Sequence, residues 1–228
     1  AAEFPVRLIE SGPAGGAVFA ATISKKYNIK NTLSFDMGGT TAKICLIKNQ
    51  KPKTSRVFEV ARSYRFKKGS GMPISIPVID MVEIGAGGGS LAYVDDLQQI
   101  RVGPQSSGSN PGPACYGLGG TSPAVTDADL LLGKLSENGF AGGSLALNKS
   151  KSEQALRLHI CDKLPMNEKI AAHGVSEVVD ENMANAARVH AVENGEDLAD
   201  YTVIAFGGAA PLHASRICEK LNISAILI

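Results

Sequence analysis

Phe35-Asp36-Met37-Gly38-Gly39-Thr40-Thr41-Ala42-Lys43 is the stretch on which the fold turns. Two short runs rich in strand formers, residues 32–36 and 43–47, flank a glycine pair, and this pattern predicts a β-hairpin. Without a Cβ, Gly38 and Gly39 are expected to take positive φ and to bring backbone N–H groups close to an anion. The Thr40 and Thr41 hydroxyls would add donors. Asp36, at the strand end, has the oxygen chemistry that holds magnesium through water. Taken alone, the stretch reads equally as a phosphate-binding turn and as a plain tight hairpin.

Working outward, Ser11 and Pro13 suit the start of a helix over residues 13–26, with Ala17, Val18, Ala21 and Ile23 as its apolar stripe. After the hairpin, residues 48–52 form a polar turn and residues 55–60 alternate as a further strand. Residues 67–123 are dense in Gly, Pro and Ser and read as an irregular insertion that still holds ordered pieces. A strand is expected over residues 76–84, followed by the glycine turn Gly85-Ala86-Gly87-Gly88-Gly89-Ser90. Residues 101–121 lack periodicity, which in a compact domain marks a functional loop or a packed irregular cap.

Thr126-Asp127 opens a helix expected to reach residue 135, and Ser150 with Glu153 makes a capping box for another to about residue 164. The longest helix is expected over residues 166–194, with Ile170, Val175, Val178, Met183, Ala186 and Val189 toward the core. Residues 201–206 read as a buried strand, Gly207-Gly208 as a turn, residues 211–221 as a helix and residues 225–228 as a last strand. This order predicts an α/β domain, a mixed sheet with flanking helices.

Two more glycine patterns bear on chemistry. Gly207-Gly208-Ala209 ends a strand and begins a helix, placing small residues and the partial positive charge of a helix N-terminus beside any ligand, with room for a flat purine. An ordinary strand-to-helix turn explains it equally well. Gly87-Gly88 is a second candidate anion-facing loop, although a packing corner is the better reading of that stretch alone.

Composition excludes several classes. The 23 basic residues nearly cancel the 22 acidic ones, so no electrostatic footprint for nucleic acid or an anionic membrane exists. The cluster of Arg65, Lys67 and Lys68 reads as a solvated loop. No apolar run approaches the roughly 20 residues of a membrane span, and residues 1–7 lack signal-peptide character. A soluble cytoplasmic protein is expected. Cys45, Cys115, Cys161 and Cys218 show no metal or redox spacing and read as buried thiols. Both ends of the sequence read like those of a segment cut from a longer chain.

Six blocks together resemble the hydantoinase A/oxoprolinase family. They are Glu10-Ser11-Gly12-Pro13-Ala14-Gly15-Gly16, the Asp36 hairpin, Gly85 through Ser90, Pro111-Gly112-Pro113-Ala114-Cys115-Tyr116-Gly117, Thr126-Asp127-Ala128, and Phe206-Gly207-Gly208-Ala209-Ala210-Pro211-Leu212-His213-Ala214. The resemblance implies an actin-like ATPase lobe with a ribonuclease H-like sheet, within the actin, sugar-kinase and Hsp70 superfamily. Residues 1–228 would form one hydantoinase/oxoprolinase domain, the second ATPase lobe of a longer enzyme.

That resemblance implies ATP and Mg²⁺ as cofactors, with Asp36 as catalytic and metal-linked residue. The nucleotide would lie against Gly38, Gly39, Thr40, Thr41, Gly87, Gly88, Gly207, Gly208 and Ala209. The implied reaction phosphorylates a carbonyl oxygen of a small cyclic amide, such as a hydantoin or 5-oxoproline, and then opens the ring. An ATP-using subunit of a ketone carboxylase and a non-catalytic nucleotide-binding or scaffold module are the alternatives. Implied partners are an N-terminal lobe carrying the other phosphate hairpin and a hydantoinase B-type subunit or domain. Met81-Val82-Glu83 departs from the His-containing stretch of many relatives, and Thr41-Ala42-Lys43 is nearer to bacterial hydantoinase and acetone carboxylase subunits. His213 reads as a packed or surface histidine and Cys115 as a structural thiol.

Overall fold

The computed structural model describes Pro5, residues 11–60 and residues 69–228. Glu10 and the Arg65, Lys67 and Lys68 cluster lie outside the described residues. Helix α1 (Ser11–Lys26) precedes the hairpin of β1 (Asn31–Met37) and β2 (Ala42–Lys48). Short strands follow: β3 (Lys51–Pro52), β4 (Thr54–Ser55), β5 (Phe58–Val60), β6 (Met72–Ile74), β7 (Val78–Ile79) and β8 (Met81–Ile84). Then come β9 (Ser90–Val94), β10 (Ile100–Ser106), α2 (Val125–Leu131), α3 (Lys149–Leu156) and α4 (Glu168–Glu193). The chain closes with β11 (Thr202–Phe206), α5 (Ala210–Leu221) and β12 (Ala225–Leu227).

The main sheet runs β12-β11-β1-β2-β3, with β8 also paired to β2. β12, β11 and β1 are parallel, whereas β2 is antiparallel to β1, β3 and β8, so the sheet is mixed as expected. Alternation along β1 sends Leu33, Phe35 and Met37 to one face, where they join Val175, Val179, Met183 and Ile217 in the larger core. The other face is covered by α1 through Ala17, Ala20 and Ala21, packed with Cys45, Ile47 and Ile204. Thr32 is tolerated beneath α1 because its hydroxyl meets that of Ser24 at 2.7 Å. Helices thus lie on both faces, and α5 links the parallel pair β11 and β12.

Several expected elements differ. The run at residues 76–84 is broken into β7 and β8, which pair with different partners, β4 and β2. Part of the supposedly aperiodic 101–121 segment is β10, paired with β9 through Ile100, Arg101 and Val102. Gly103 and Pro104 then shift the register, which hid the strand from its sequence pattern. α2 stops at Leu131, and α3 is capped by Asn148, whose side chain accepts from the Lys151 amide, so Ser150 lies inside the helix. The α-helical hydrogen bonding of α3 gives way to a π segment at Arg157–Cys161. Val18, Ile170 and Val189 are exposed; small residues such as Ala17, Ala20, Ala171 and Ala172 make the close contacts in their place. Among the described residues no helix is long and apolar enough to cross a membrane.

Candidate functional site

The β1–β2 turn is closed by the Gly38 amide, which donates to the Thr41 carbonyl at 3.1 Å. Its outer edge is bound by the glycine turn before β9. Gly88 donates to the Gly38 carbonyl at 2.9 Å and Gly89 to the Gly39 carbonyl at 2.6 Å. A Cβ on Gly87 would lie 2.6 Å from the Gly38 oxygen and 2.8 Å from the Thr40 nitrogen. Packing therefore dictates glycine at 87, the preferred reading of that motif.

The third turn is tied to the same place from the other side. The Ala209 amide donates to the Met37 carbonyl at 2.9 Å. Gly207 has φ +91°, and a Cβ there would meet Asp36 Oδ1 at 2.6 Å. Gly38, Gly39 and Gly208 behave differently. None of them has positive φ, which corrects the expectation for Gly38 and Gly39. A Cβ on Gly39 or Gly208 would meet no atom within 4 Å. Nothing in the protein's own packing requires these two to be glycine.

The three turns border a cleft of about 760 Å³. Gly38, Gly39, Thr40, Gly88, Gly208 and Ala209 line it, and Asp36, Thr41, Gly87 and Gly207 do not. Among the described residues the amides of Gly39, Thr40 and Gly208 have no protein acceptor, so the wall offers unclaimed donors to an anion. Away from the three turns the cleft is lined by the apolar side chains of Tyr116, Leu135 and Phe140. The Tyr116 and Phe140 rings pack at 5.4 Å between centroids.

Asp36 points to the α1 face of β1, between the bare backbones of Gly207 and Gly16. A Cβ on Gly16 would lie 3.8 Å from Asp36 Oδ2. Burial raises the Asp36 pKa, opposed by Lys43 across the hairpin. Lys43 itself donates to Thr41 Oγ1 at 2.8 Å and pairs with Glu83 at 3.0 Å. The Asp36 carboxylate accepts no hydrogen bond among the described residues and keeps its lone pairs available. One such carboxylate fits a cation that retains most of its waters, as magnesium does. Among the described residues no group of three or more His, Cys, Asp or Glu is arranged to hold a metal directly.

Two buried carboxylates escaped the sequence reading. Asp127 receives the amides of Ala114, Cys115 and Ala124 and the Ser152 hydroxyl, at 2.7–3.1 Å, and so fastens the loop before α2. Burial, and then this carboxylate, push the Cys115 thiol upward, the opposite of an activated nucleophile. Asp129, two residues further along α2 and so on its other side, lines the cleft and contacts His213. His213 is fully buried, consistent with a packed histidine. The signal for these partners was the pair of acids inside the apolar run after Thr126, since carboxylates on a buried helix face need partners.

A mixed sheet with helices on both faces and cross-tied glycine turns at one sheet end is the fold of an actin-like ATPase. The chain belongs to the hydantoinase/oxoprolinase family, whose model matches residues 1–228. A protein of Methanocaldococcus jannaschii is 43% identical over 231 residues, covering 100% of this chain and 34% of its own length. Caprolactamase subunit alpha of Pseudomonas jessenii is 38% identical, covering 99% of this chain and 31% of its own. Among solved structures, the ATP-dependent caprolactamase from that organism superposes with TM-score 0.81 at 35% identity, over 95% of this chain and 30% of that one. Nucleotide-free acetone carboxylase superposes with TM-score 0.84 at 27% identity, over 96% and 30%. The chain thus spans about a third of the length of these relatives, of which the caprolactamase and the acetone carboxylase are ATP-dependent enzymes.

Proposed function

We propose that this chain is the second ATPase lobe of an ATP-dependent hydrolase that opens a cyclic amide. The observation that carries the reading is the pair of unclaimed amides at Gly39 and Thr40 on a cleft whose other end is aromatic and apolar. Phosphates suit the first end and a purine the second. Asp36, free of hydrogen bonds, would hold water-bound magnesium beside the phosphates. An amide carbonyl resists attack; transfer of the γ-phosphoryl group to its oxygen, with departure of ADP, makes the carbon open to water. Positioning and electrostatics supply most of the catalysis in such transfers. The second phosphate hairpin and a hydantoinase B-type partner would come from outside these residues.

Likeness to caprolactamase supports the hydrolase, whereas likeness to acetone carboxylase supports a second reading, an ATP-using carboxylase subunit. The full-length protein with its partner, given MgATP, distinguishes them. Phosphate release stimulated by hydantoin, 5-oxoproline or caprolactam supports the hydrolase. Release stimulated only by a ketone with bicarbonate replaces it with the carboxylase, and nucleotide binding without turnover under any of these conditions leaves a scaffold module.

A further inference from the structure

The cleft beside the glycine turns is lined almost wholly by neutral groups. Among its described lining residues only Asp129 and Lys134 carry charge, and Asp129 is engaged from behind. His213 on α5 places Nδ1 2.7 Å from Asp180 Oδ1 on α4 and Nε2 3.1 Å from Asp129 Oδ2 on α2. A ring with a carboxylate at each nitrogen is best satisfied as the imidazolium, which donates twice. The two acids and the histidine leave one negative charge, and Lys134 cancels it with Nζ 3.2 Å from Asp129 Oδ1. The cluster is neutral, and Lys134 is its cation on the cleft side.

That ammonium is fixed in place yet incompletely used. It donates to Ser176 Oγ at 2.8 Å, while its approach to Asp129 Oδ1 is too oblique to make a hydrogen bond. An ammonium has three N–H donors, so at least one has no acceptor among the described residues. Both holders are buried, Asp129 at 1% and Ser176 at 4% exposed, whereas the Lys134 side chain keeps 25% of its surface open. The fold therefore covers the ammonium from behind and leaves its free side to the cleft. Because the lysine is already held, a ligand gains the contact without having to freeze a mobile side chain.

Position selects the ligand atom. Thr126, at the start of α2, donates its hydroxyl to the Gly88 carbonyl, and Gly88 is bonded to the Gly38 turn. Beyond the far end of α2, Gly133 turns the chain with φ +75°, and the Lys134 amide donates to the Asp129 carbonyl at 2.9 Å. Leu135, the next residue, belongs to the apolar cluster of Tyr116 and Phe140. Lys134 thus stands between the unclaimed amides and the aromatic end, at the middle of a nucleotide laid along the cleft. The groups there are the ribose and its first phosphate, and a cation with a free N–H donor selects the anionic one. We propose that Lys134 binds the α-phosphate of the nucleotide, with Asp129 and Ser176 as positioning residues behind its ammonium. The inference rests on the nucleotide reading of the cleft.

Calorimetric titration of the full-length protein with adenosine, AMP and ADP tests it. The unmodified protein should bind AMP at least about tenfold more tightly than adenosine, the scale of one charge-assisted hydrogen bond. Lys134→Met should bring AMP down to the level of adenosine, weaken ADP by a similar factor and leave adenosine unchanged. Should the uncompensated Asp129 charge prevent folding, Lys134→Met combined with Asp129→Asn restores neutrality and should give the same result. Equal binding of AMP and adenosine by the unmodified protein, or survival of the AMP preference in a folded variant, overturns the proposal. So does an equal loss of adenosine and AMP in the variant, which would put Lys134 at the ribose. Binding of none of the three ligands overturns the reading of the cleft beneath it.

Discussion

The amide of Gly88 donates to the carbonyl oxygen of Gly38 across 2.9 Å, so two turns 50 residues apart in sequence share one hydrogen-bonded seam. The same carbonyl would lie 2.6 Å from a Cβ on Gly87, whereas a Cβ on Gly39 would meet nothing within 4 Å. Gly87→Ala should therefore cost about 3 kcal/mol of stability, because only backbone atoms stand in its way. Gly39→Ala should leave the melting temperature unchanged or slightly raised. Nucleotide affinity should nonetheless fall in Gly39→Ala if its amide faces phosphate. Thermal melting paired with ADP titration of both variants checks the contrast; equal melting losses would refute it.

Asp36 occupies the slot between Gly16 and Gly207 without a hydrogen bond of its own. Asp36→Asn keeps the shape and removes the charge, so folding should survive. ATP-driven turnover by the full-length protein should drop at least about a hundredfold, the scale of losing one electrostatic contact in a transition state. Steady-state phosphate release decides the matter, and near-normal turnover in a folded variant would make Asp36 a turn residue only.

Gly208 is exposed, lacks positive φ and has space for a side chain, so Gly208→Val should fold. In the nucleotide-filled cleft that space is expected to be taken by the adenosine moiety. Gly208→Val should weaken adenosine, ADP and ATP binding alike, whereas Thr40→Val should weaken ADP and ATP while sparing adenosine. Titration calorimetry with the three ligands reads this directly; matching adenosine losses in both variants would mean the two turns serve the opposite ends of the nucleotide.

His213 gives stability a pH dependence. Its pKa in the folded chain is about 9, above the ordinary 6.5, so the native state holds the proton more tightly than the unfolded one. This contribution is fully present below about pH 6.5 and is lost as pH rises through about 9. The total is on the order of 3 kcal/mol. Burial pushes Cys45 up to about 12 from 9.0, so its own effect begins only near the upper edge of this window. Urea midpoints between pH 6 and pH 9 should fall for the parent protein and stay nearly level for His213→Gln, and a steep fall in that variant would assign the dependence elsewhere.

What could be read in advance follows from range along the chain. The hairpin, α1, α4, α5 and the strand-to-helix turn at Gly207 are local patterns, and their spacing in Phe35 through Lys43 or Phe206 through Ala214 is visible without tertiary information. The irregular region was harder because β10 has only Ile100 and Val102 as apolar partners for β9 before Gly103 and Pro104 disturb the register. Large apolar residues misled on the helices: Val18, Ile170 and Val189 face outward while alanines permit close packing. The grouping of Asp129, Asp180 and His213 joins three helices, so no window of sequence contains it.

Met37, Gly38 and Gly39 each lend a carbonyl to a neighbouring loop: to Ala209, Gly88 and Gly89 respectively. A pull on any one of these loops by an incoming anion is passed at once to the others through peptide groups, with no side chain in between. The cleft wall should accordingly travel as a single plate, and any jaw-like closing over a ligand must find its pivot away from these three turns.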